Sequence, residues 1–306
     1  MGQINIMIRY DDIKFVASKV GFDLCGVARP RLLERNKAAY ESWLEKGYDS
    51  TLEYMRRNLD KRFDVRNLVE GARSVIVCAV SYKSDINASY DSSTPNKVAS
   101  YACCRDYHKS IKKMLQQLLK ELQTIYPQLQ GRAFVDTAPL LEKQMAVEAG
   151  LGWIGRQSLL VTPRYGTYVH LGELVIDQEV DNYNSPVEGV GCGECRRCRE
   201  ACPTGALVDD MVVDTSACIS CRTIEAESER QGDLHGWIFG CEECQMCCPY
   251  NMRAEVHRNP NFDPLFDPMK ISREEWLSMS EEEFAERFFA TPLKRSGLER
   301  IKRCVK

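Results

Sequence analysis

The sequence lacks the features that define several large classes of protein. Its longest strand-like apolar run, residues 75–80, is far shorter than the roughly 20 apolar residues that a helix needs to cross a bilayer. The first residues carry charges by Arg9 and Asp11, so the apolar core of a secretion signal does not develop. A formal net charge of −3 argues against indiscriminate nucleic-acid binding, although it allows a local basic face. We therefore expect a soluble cytoplasmic protein that does not enter a membrane.

Cysteine, in contrast, is abundant and unevenly distributed. Ten of the 15 cysteines lie between Cys192 and Cys248. Disulfide scaffolds occur in small secreted domains, and a chain that we expect to stay in the cytoplasm is a poor candidate for one. The concentration of cysteine in one segment therefore indicates that it binds metal ions or iron–sulfur clusters.

Hydrophobic patterns divide the chain into regions. Helical patterns cover residues 11–20, 32–46, 107–126 and 140–149, and strand-like patterns cover 22–28, 74–82, 132–135 and 167–176. This alternation predicts a layered α/β domain. From about residue 181 to 251 the periodicity gives way to Cys, Gly and Pro, as expected where clusters rather than a core hold the chain. Helical patterns then return, with capping-box signatures at Ser272 and Ser280.

The first cysteine block has the spacing of bacterial ferredoxins. It reads Cys192-x-x-Cys195-x-x-Cys198-x-x-x-Cys202-Pro203. In that spacing three cysteines hold one [4Fe–4S] cluster, and the cysteine before proline ligates the other cluster.

The second block allows a reciprocal assignment. It reads Cys241-x-x-Cys244-x-x-Cys247-Cys248-Pro249 and is preceded by Cys218. The predicted ligands of the first cluster are Cys192, Cys195, Cys198 and Cys248, and those of the second are Cys202, Cys218, Cys241 and Cys244. Cys247 offers a competing register, but Cys248 precedes proline as Cys202 does.

Structural zinc is the alternative for these blocks, because repeated C-x-x-C pairs also form zinc sites. Zinc needs two pairs, however, rather than three cysteines at three-residue spacing and a Cys-Pro. The remaining cysteines are predicted to be small buried hydrophobes or bystanders; they are Cys25, Cys78, Cys103, Cys104, Cys221 and Cys304.

Several ordered strings resemble the epoxyqueuosine reductase family. They are YxxxRDYHK at 101–109, VDTAP at 135–139, LEK at 141–143, AGLGWIGR at 149–156, CISxxTIE at 218–225 and TPLKR at 291–295. Together with the cysteine blocks they run along nearly the whole chain. Longer members of the family carry a C-terminal helical-repeat domain, and this sequence resembles a short form without it.

The resemblance implies a cobalamin-dependent enzyme that reduces epoxyqueuosine to queuosine at the wobble position of tRNA. It implies an α+β protein, with a nitroreductase-like layered α/β domain that binds cobalamin (1–180), a ferredoxin-like domain with two [4Fe–4S] clusters (181–260) and a C-terminal helical segment (261–306). The implied partners are tRNA carrying epoxyqueuosine in its anticodon loop and an electron donor such as a flavodoxin or ferredoxin. We expect a monomer.

Asp136 is the predicted catalytic acid, because the family's catalytic aspartate aligns with it. It follows a predicted strand and precedes Pro139, a position from which strand-end residues often face a ligand crevice. Burial beside an apolar corrin is expected to raise its pKa and keep it protonated near neutrality. The alternative is that Asp136 caps the following helix. The other predicted cofactor contacts are Tyr107, His108, Lys143, Trp153, Gly155, Arg156 and Ser158.

The string Gly150-x-Gly152-x-x-Gly155 matches the dinucleotide-binding fingerprint, but it follows a helical pattern rather than a strand. We therefore do not predict a Rossmann site. In the family this string lies by the corrinoid, where glycines are expected to let the backbone approach a planar ligand. The D-x-H-x-x-G string that supplies a histidine to cobalt is incomplete at residues 233–236, so we expect no histidine ligand to cobalt.

Two local basic clusters are candidates for contacts with tRNA phosphates, and solvated helix faces are the alternative. They comprise Lys294, Arg295, Arg300, Lys302, Arg303 and Lys306 in the tail, and Arg196, Arg197 and Arg199 between the cluster cysteines. Two rival functions are a cobalamin-dependent reductive dehalogenase, which uses the same cofactors, and a ferredoxin-type carrier. The carrier leaves the first 180 residues unexplained.

Overall fold

The structure is a computed structural model that describes residues 7–225 and 232–305. The helices are α1 (Tyr10–Val20), α2 (Glu34–Glu45), α3 (Leu59–Phe63), α4 (Tyr107–Ile125), α5 (Glu142–Glu148), α6 (Arg197–Ala201), α7 (Ile219–Ile224), α8 (Glu243–Met246), α9 (Pro249–Met252), α10 (Arg273–Ser278), α11 (Glu281–Phe288), α12 (Leu293–Ser296) and α13 (Leu298–Cys304). The strands are β1 (Leu24–Ala28), β2 (Ser74–Ser81), β3 (Lys97–Val98), β4 (Gly131–Phe134), β5 (Trp153–Ile154), β6 (Leu160–Val161), β7 (Val169–Ile176), β8 (Leu207–Asp209), β9 (Val212–Val213) and β10 (Trp237–Phe239). The helices and strands that the sequence predicts before residue 181 are confirmed, with small shifts at their ends.

The main sheet is antiparallel and has the strand order β1-β2-β7-β4. Every residue of β2 is buried, which agrees with the uninterrupted apolar run that predicts a central strand. Because side chains alternate between the two faces of a sheet, β2 contributes Ile76 and Val80 to one core and Val75 and Val77 to the other.

Helices cover both faces of this sheet. On one face α1 and α4 pack through residues such as Ile13 and Leu118. Gly172 of β7 lets α4 come close, because a Cβ there would lie 2.6 Å from Cγ2 of Ile111. On the opposite face α5 packs against the sheet through Met145. The N-terminal ends of α4 and α5 lie beside the loop that follows β4, and this loop carries Asp136.

The cysteine-rich segment consists of short elements, among them α6 to α9 and the β8–β9 hairpin. Strand β10 of this segment pairs in parallel with β3, which lies in the long connection after β2. That connection therefore contributes Tyr90 and Val98 to a third core, which also contains Trp237 and Trp276. The sheet region and the C-terminal part of the chain are joined through this shared core.

The C-terminal helices begin where the serines predict. Ser280 forms a complete capping box with Glu283. The side chain of Ser272 accepts a bond from the N–H of Glu275, while the Glu275 carboxylate pairs with Arg287 at 2.5 Å instead of returning to the cap. Among the helices of residues 7–225 and 232–305, none has the length and apolar character needed to cross a membrane.

Candidate active site

Asp136 lies directly after β4, in the loop that leads to α5. Its φ of 54° is in the left-handed region, which few residues with a side chain adopt. Its N–H donates to Oε1 of Glu142 at 2.5 Å, so the first residue of α5 holds this backbone in place. The N-cap of α5 is Leu141. The interpretation of Asp136 as the helix cap is therefore wrong.

Two side chains from the start of α4 bind the Asp136 carboxylate. Tyr107 Oη donates to Oδ2 at 2.8 Å, and His108 Nε2 lies 2.9 Å from the same oxygen. The other ring nitrogen of His108, Nδ1, lies 2.7 Å from Oδ1 of Asp106. Asp106 is also the N-cap of α4, where its side chain accepts from the His108 N–H. The helix cap thus places an imidazole between two carboxylates.

These contacts determine which group holds a proton. The hydrogen bond from His108 lowers the pKa of Asp136, against the opposing effect of burial, and Tyr107 and Arg295 lower it further. Burial by itself lowers the pKa of His108, but the hydrogen bonds to Asp106 and Asp136 raise it to about 9. The prediction of a raised Asp136 pKa is therefore wrong for this structure. The proton near neutrality is on His108, because α4 brings a base to the carboxylate.

His170 lies behind Tyr107, although no sequence pattern singles it out. The two rings stack with centroids 4.3 Å apart and an interplanar angle of 8°. Burial lowers the pKa of His170 to about 3, so it is neutral. Its Nε2 has no hydrogen-bond partner among the described residues. A single histidine within an apolar strand pattern gives no sign that its ring will stack on Tyr107.

Three further ionisable groups surround the Asp136 loop, on α5 and β7. Burial, and next the charge of Asp136, raise the pKa of Glu142 to about 7. Glu173 of β7 is fully buried beside it. Lys143 donates from Nζ to the Ser158 carbonyl at 2.6 Å, and desolvation lowers its pKa although the side chain reaches solvent. The side chain of Asp136 is 48% exposed, so it reaches solvent.

The glycine string at residues 150–155 follows helix α5 and not a strand, as the helical pattern before it predicts. A Cβ at Gly152 would overlap the Val161 carbonyl oxygen, and one at Gly155 would overlap the side chain of Gln157. The protein's own atoms therefore leave no room for a side chain at these two glycines. The interpretation that they let the backbone approach a planar ligand stays a prediction.

The segment of residues 153–158 connects the surroundings of Asp136 to the cysteine-rich segment. Arg156 forms an ion pair with Asp210 and donates from Nη2 to the Gly193 carbonyl at 2.7 Å. Trp153 is buried, and its ring lies edge-on to Tyr250 at 4.9 Å. Of the predicted cofactor contacts, Tyr107, His108 and Lys143 therefore lie around Asp136, and Ser158 joins them through Lys143. Trp153, Gly155 and Arg156 lie toward the cysteines.

The cysteines of the two blocks form two groups in space. Burial raises the pKa of the Cys198 thiol, and the nearby thiolates of Cys192 and Cys248 raise it further. Cys195 joins this group, since it and Cys198 both raise the pKa of Cys247. Burial likewise raises the pKa of Cys244, and its neighbours there include Cys241, Cys218 and Cys202.

All of these thiols are free. An all-thiolate set is the ligand chemistry of [4Fe–4S] clusters. Cys247 is a neighbour of Cys198 and Cys248 in the first group and of Cys244 in the second. The assignment of four ligands to each cluster, with its preference for Cys248, therefore stays a prediction. Within residues 7–225 and 232–305, no three His, Cys, Asp or Glu side chains are grouped closely enough to hold a single metal ion.

The basic tail divides into two kinds of residue. Arg300 donates to the Ile224 carbonyl, and Lys302 donates to the Met279 carbonyl at 2.8 Å, so both stabilise the fold. Lys294 and Arg295 are exposed, and the charge of Arg295 reaches Asp136. Between the cysteines, Arg196 and Arg197 are exposed, whereas Arg199 pairs with Asp209 and Asp210. Lys306 lies outside the described residues.

Comparison with known proteins gives consistent matches. Residues 62–137 match the family model described as epoxyqueuosine reductase QueG, DUF1730, and residues 191–251 match the model of the 4Fe-4S double cluster binding domain. A curated epoxyqueuosine reductase of Cyclobacterium marinum is 40% identical over 297 residues, which cover 96% of this chain and 94% of the relative. One from Cellulophaga algicola is 37% identical and covers 96% of each chain.

Solved structures agree with these sequence matches. An epoxyqueuosine reductase bound to an epoxyqueuosine-modified tRNA-Tyr stem loop superposes with a TM-score of 0.81 and 26% identity, over 96% of this chain and 79% of that chain. The Bacillus subtilis enzyme, solved with its catalytic loop swung out of the active site, gives a TM-score of 0.83 and 25% identity over the same shares. By sequence identity over almost its whole length, the chain belongs to the epoxyqueuosine reductase family.

Proposed function

We propose that this protein reduces epoxyqueuosine to queuosine in tRNA. The observation that carries the proposal is the 40% identity to a curated epoxyqueuosine reductase over 96% of the chain. A structure of a related enzyme holds an epoxyqueuosine-modified tRNA stem loop, which supports the same substrate here. The site at Asp136 supplies acid–base groups for such a reduction, because Tyr107 and His108 both bind its carboxylate.

The reaction removes the epoxide oxygen as water, so it consumes two electrons and two protons. The match to the double-cluster domain supports two [4Fe–4S] clusters as the carriers that deliver electrons one at a time. Their proposed ligands are the two sets of four cysteines already named. We propose a flavodoxin or ferredoxin as the external donor of these electrons.

Cobalamin is the proposed cofactor of the site around Asp136, and when bound it would supply the reactive reduced metal centre. The residues present fit it in two respects. Asp136 and Lys143 both reach solvent, so their side chains are accessible to a ligand. In the adjoining loop, the buried donors Trp153 Nε1, Arg156 Nε and Gln157 Nε2 have no acceptor among the described residues, and the carboxamides around a corrin ring carry acceptor oxygens.

Asp136 is the proposed proton donor to the departing oxygen, and His108 is the group that supplies its proton. The imidazole is protonated near neutrality and lies 2.9 Å from Oδ2 of Asp136, so transfer between the two needs no rearrangement. Tyr107 holds the same oxygen in place. We also propose that the loop carrying Asp136 moves during the cycle, because the related Bacillus subtilis enzyme was captured with its catalytic loop swung out.

The proposal also covers the layout of the sheet region, the domain limits, the oligomeric state and the contacts with tRNA. The sheet region is proposed to have a nitroreductase-like layout, with the domain limits 1–180, 181–260 and 261–306. The protein is proposed to act as a cytoplasmic monomer. The exposed Lys294, Arg295, Arg196 and Arg197 are proposed to contact tRNA phosphates.

The decisive experiment is anaerobic turnover. The protein would be reconstituted with iron, sulfide and cobalamin, reduced with a low-potential reductant and mixed with tRNA carrying epoxyqueuosine. Mass spectrometry of the nucleosides is expected to show queuosine replacing epoxyqueuosine, and omission of cobalamin should abolish the conversion. Survival of the epoxide in a protein that holds cobalamin and two reducible clusters would refute the proposed substrate.

A further inference from the structure

Lys97 is a buried cation at the junction between the sheet region and the cysteine-rich segment. It lies on β3, where its N–H donates to the Gly236 carbonyl at 2.6 Å, and its side chain is 0% exposed. An ammonium group in such a place is strongly destabilised unless an opposite charge and hydrogen bonds replace the water that it loses. A lysine at this position therefore needs an acidic partner.

Glu243 is that partner. Lys97 Nζ donates to Oε1 of Glu243 at 2.9 Å and to the Asp91 carbonyl at 3.2 Å. Trp237 Nε1 donates to the same Glu243 oxygen at 3.0 Å, and the ammonium group lies 5.0 Å from the centre of the Trp237 ring, a distance that allows cation–π attraction. Contacts from several segments therefore fix both the charge and its position.

The position of Glu243 connects this ion pair to the cysteines. Glu243 is the first residue of α8, and it stands between Cys241 and Cys244, two proposed ligands of the second cluster. Glu242 lies in the same interval and is 0% exposed. Two carboxyl groups therefore accompany the proposed second cluster, and Lys97 pairs with one of them.

The partners of Glu242 are neutral. Its Oε1 accepts from Ser100 Oγ at 2.7 Å, and its Oε2 accepts from Asn87 Nδ2 at 2.7 Å. Lys83 is a partly exposed cation with a smaller effect on Glu242. Among the ion pairs of residues 7–225 and 232–305, the pair with Lys97 is the one that involves either glutamate. Lys97 is therefore the buried positive charge that offsets the acidic residues beside this cysteine group.

Reduction adds one negative charge to a [4Fe–4S] cluster, so nearby carboxylates oppose it and a nearby cation favours it. We infer that Lys97 is a positioning residue of the proposed reaction, which holds Glu243 and whose charge raises the reduction potential of the second cluster. This inference rests on the proposed function and on the assignment of Cys241 and Cys244 to that cluster. Its consequence is that the external donor can reduce the second cluster in spite of the two glutamates.

The first test is a redox titration and needs no tRNA. Lys97→Met removes the charge and keeps a long side chain. In the full-length protein reconstituted with iron and sulfide, EPR is recorded against applied potential. At a fixed potential we expect the ratio of reduced to oxidised second cluster to fall about tenfold, which is a shift of about 59 mV for one electron. The matched control is Lys19→Met, which removes the lysine of an exposed ion pair on α1 and should not move either potential.

A double variant separates charge from packing. Lys97→Met with Glu243→Gln removes both charges of the pair, while the glutamine carbonyl still accepts the bond from Trp237. We expect the potential to return to within about twofold, in the same ratio, of the unmodified protein, because the net charge beside the cluster is restored. A purely structural role of Lys97 would give no such recovery.

A second comparison applies if Lys97→Met does not hold its clusters. Glu243→Gln alone keeps the ammonium group, and it differs from the double variant at position 97 only. The ratio of reduced to oxidised second cluster should then be about tenfold higher in Glu243→Gln than in the double variant. Equal ratios in these two proteins would overturn the inference.

The outcomes also separate the inference from the function on which it rests. An unchanged potential in Lys97→Met at full iron content, or an equal fall in the single and double variants, would overturn the inference and leave the reductase activity standing. An unmodified protein that shows these shifts but does not reduce epoxyqueuosine would instead refute the proposed function and leave the effect of Lys97 on the cluster standing.

Discussion

The sheet region and the cysteine-rich region hold their functional side chains in different ways. Around Asp136, long elements such as the 19-residue helix α4 pack on a buried sheet, and the active groups extend from their ends. Around the cysteines the elements are short, with 5 residues in α6 and 4 in α8. Helices of this length have no stability of their own. Packing therefore positions the acid–base groups, whereas cluster ligation is expected to position the cysteine loops.

Loss of one cluster cysteine should have the largest effect. The structural effect should be confined to the cysteine-rich region. Cys198→Ser removes a proposed ligand of the first cluster, so we expect iron content to fall by about half and turnover to fall to background. Iron and sulfide analysis with EPR measures the first effect, and circular dichroism should show an intact sheet. Cys25→Ser, on β1, is the matched control and should keep both clusters. Full iron content in Cys198→Ser would contradict the ligand assignment.

Asp136→Asn should instead affect the sheet region and leave the cysteine-rich region intact. The amide cannot donate an acidic proton, so turnover should fall about 10²- to 10⁴-fold. Cluster and cobalamin content should stay unchanged, because the side chain contacts Tyr107 and His108 rather than the cysteines. Single-turnover rates together with absorption spectra measure both effects. Undiminished turnover would remove Asp136 from the mechanism.

His108 should make the stability of the sheet region depend on pH. Its folded pKa of about 9 lies above the ordinary 6.5, so its stabilising contribution is fully present below pH 6.5 and is lost as pH rises through 9. We expect a contribution of about 1–2 kcal/mol to the free energy of unfolding, after allowance for solvent screening. Denaturant unfolding of the unmodified protein and of His108→Gln at pH 6 and pH 10 measures this. An equal difference between the two proteins at both pH values would contradict the proposed charge on His108.

Charge reversal at Lys294 should have the smallest effect and should leave both regions intact. Lys294 is exposed, and we propose that it contacts a tRNA phosphate. Lys294→Glu is expected to raise the tRNA concentration for half-maximal rate by about 3- to 10-fold at low salt, and less at high salt. Lys270→Glu, at another exposed position, is the control. If Lys294→Glu and Lys270→Glu change the tRNA dependence equally, the tail is instead a solvated helix face.

Local patterns in the sequence predict much of the architecture and divide the cysteines into two proposed ligand sets. Periodicity locates β2 and α4, since a buried strand and an amphipathic helix leave local patterns in the chain. The cysteine spacing separates two sets of four, because ferredoxin-type ligation repeats at fixed short intervals. Neither inference requires knowledge of which distant segments meet.

The protonation of the site depends on contacts between segments that are remote in sequence. His108 lies 28 residues from Asp136 along the chain, yet their contact lowers the pKa of Asp136, for which burial alone predicts a raised value. Glu173 is an unremarkable residue in a strand until β2, β4 and α5 bury it beside Glu142. The physical reason is that a pKa depends on the charges, donors and water excluded around a group, and folding brings these from segments that are remote in sequence.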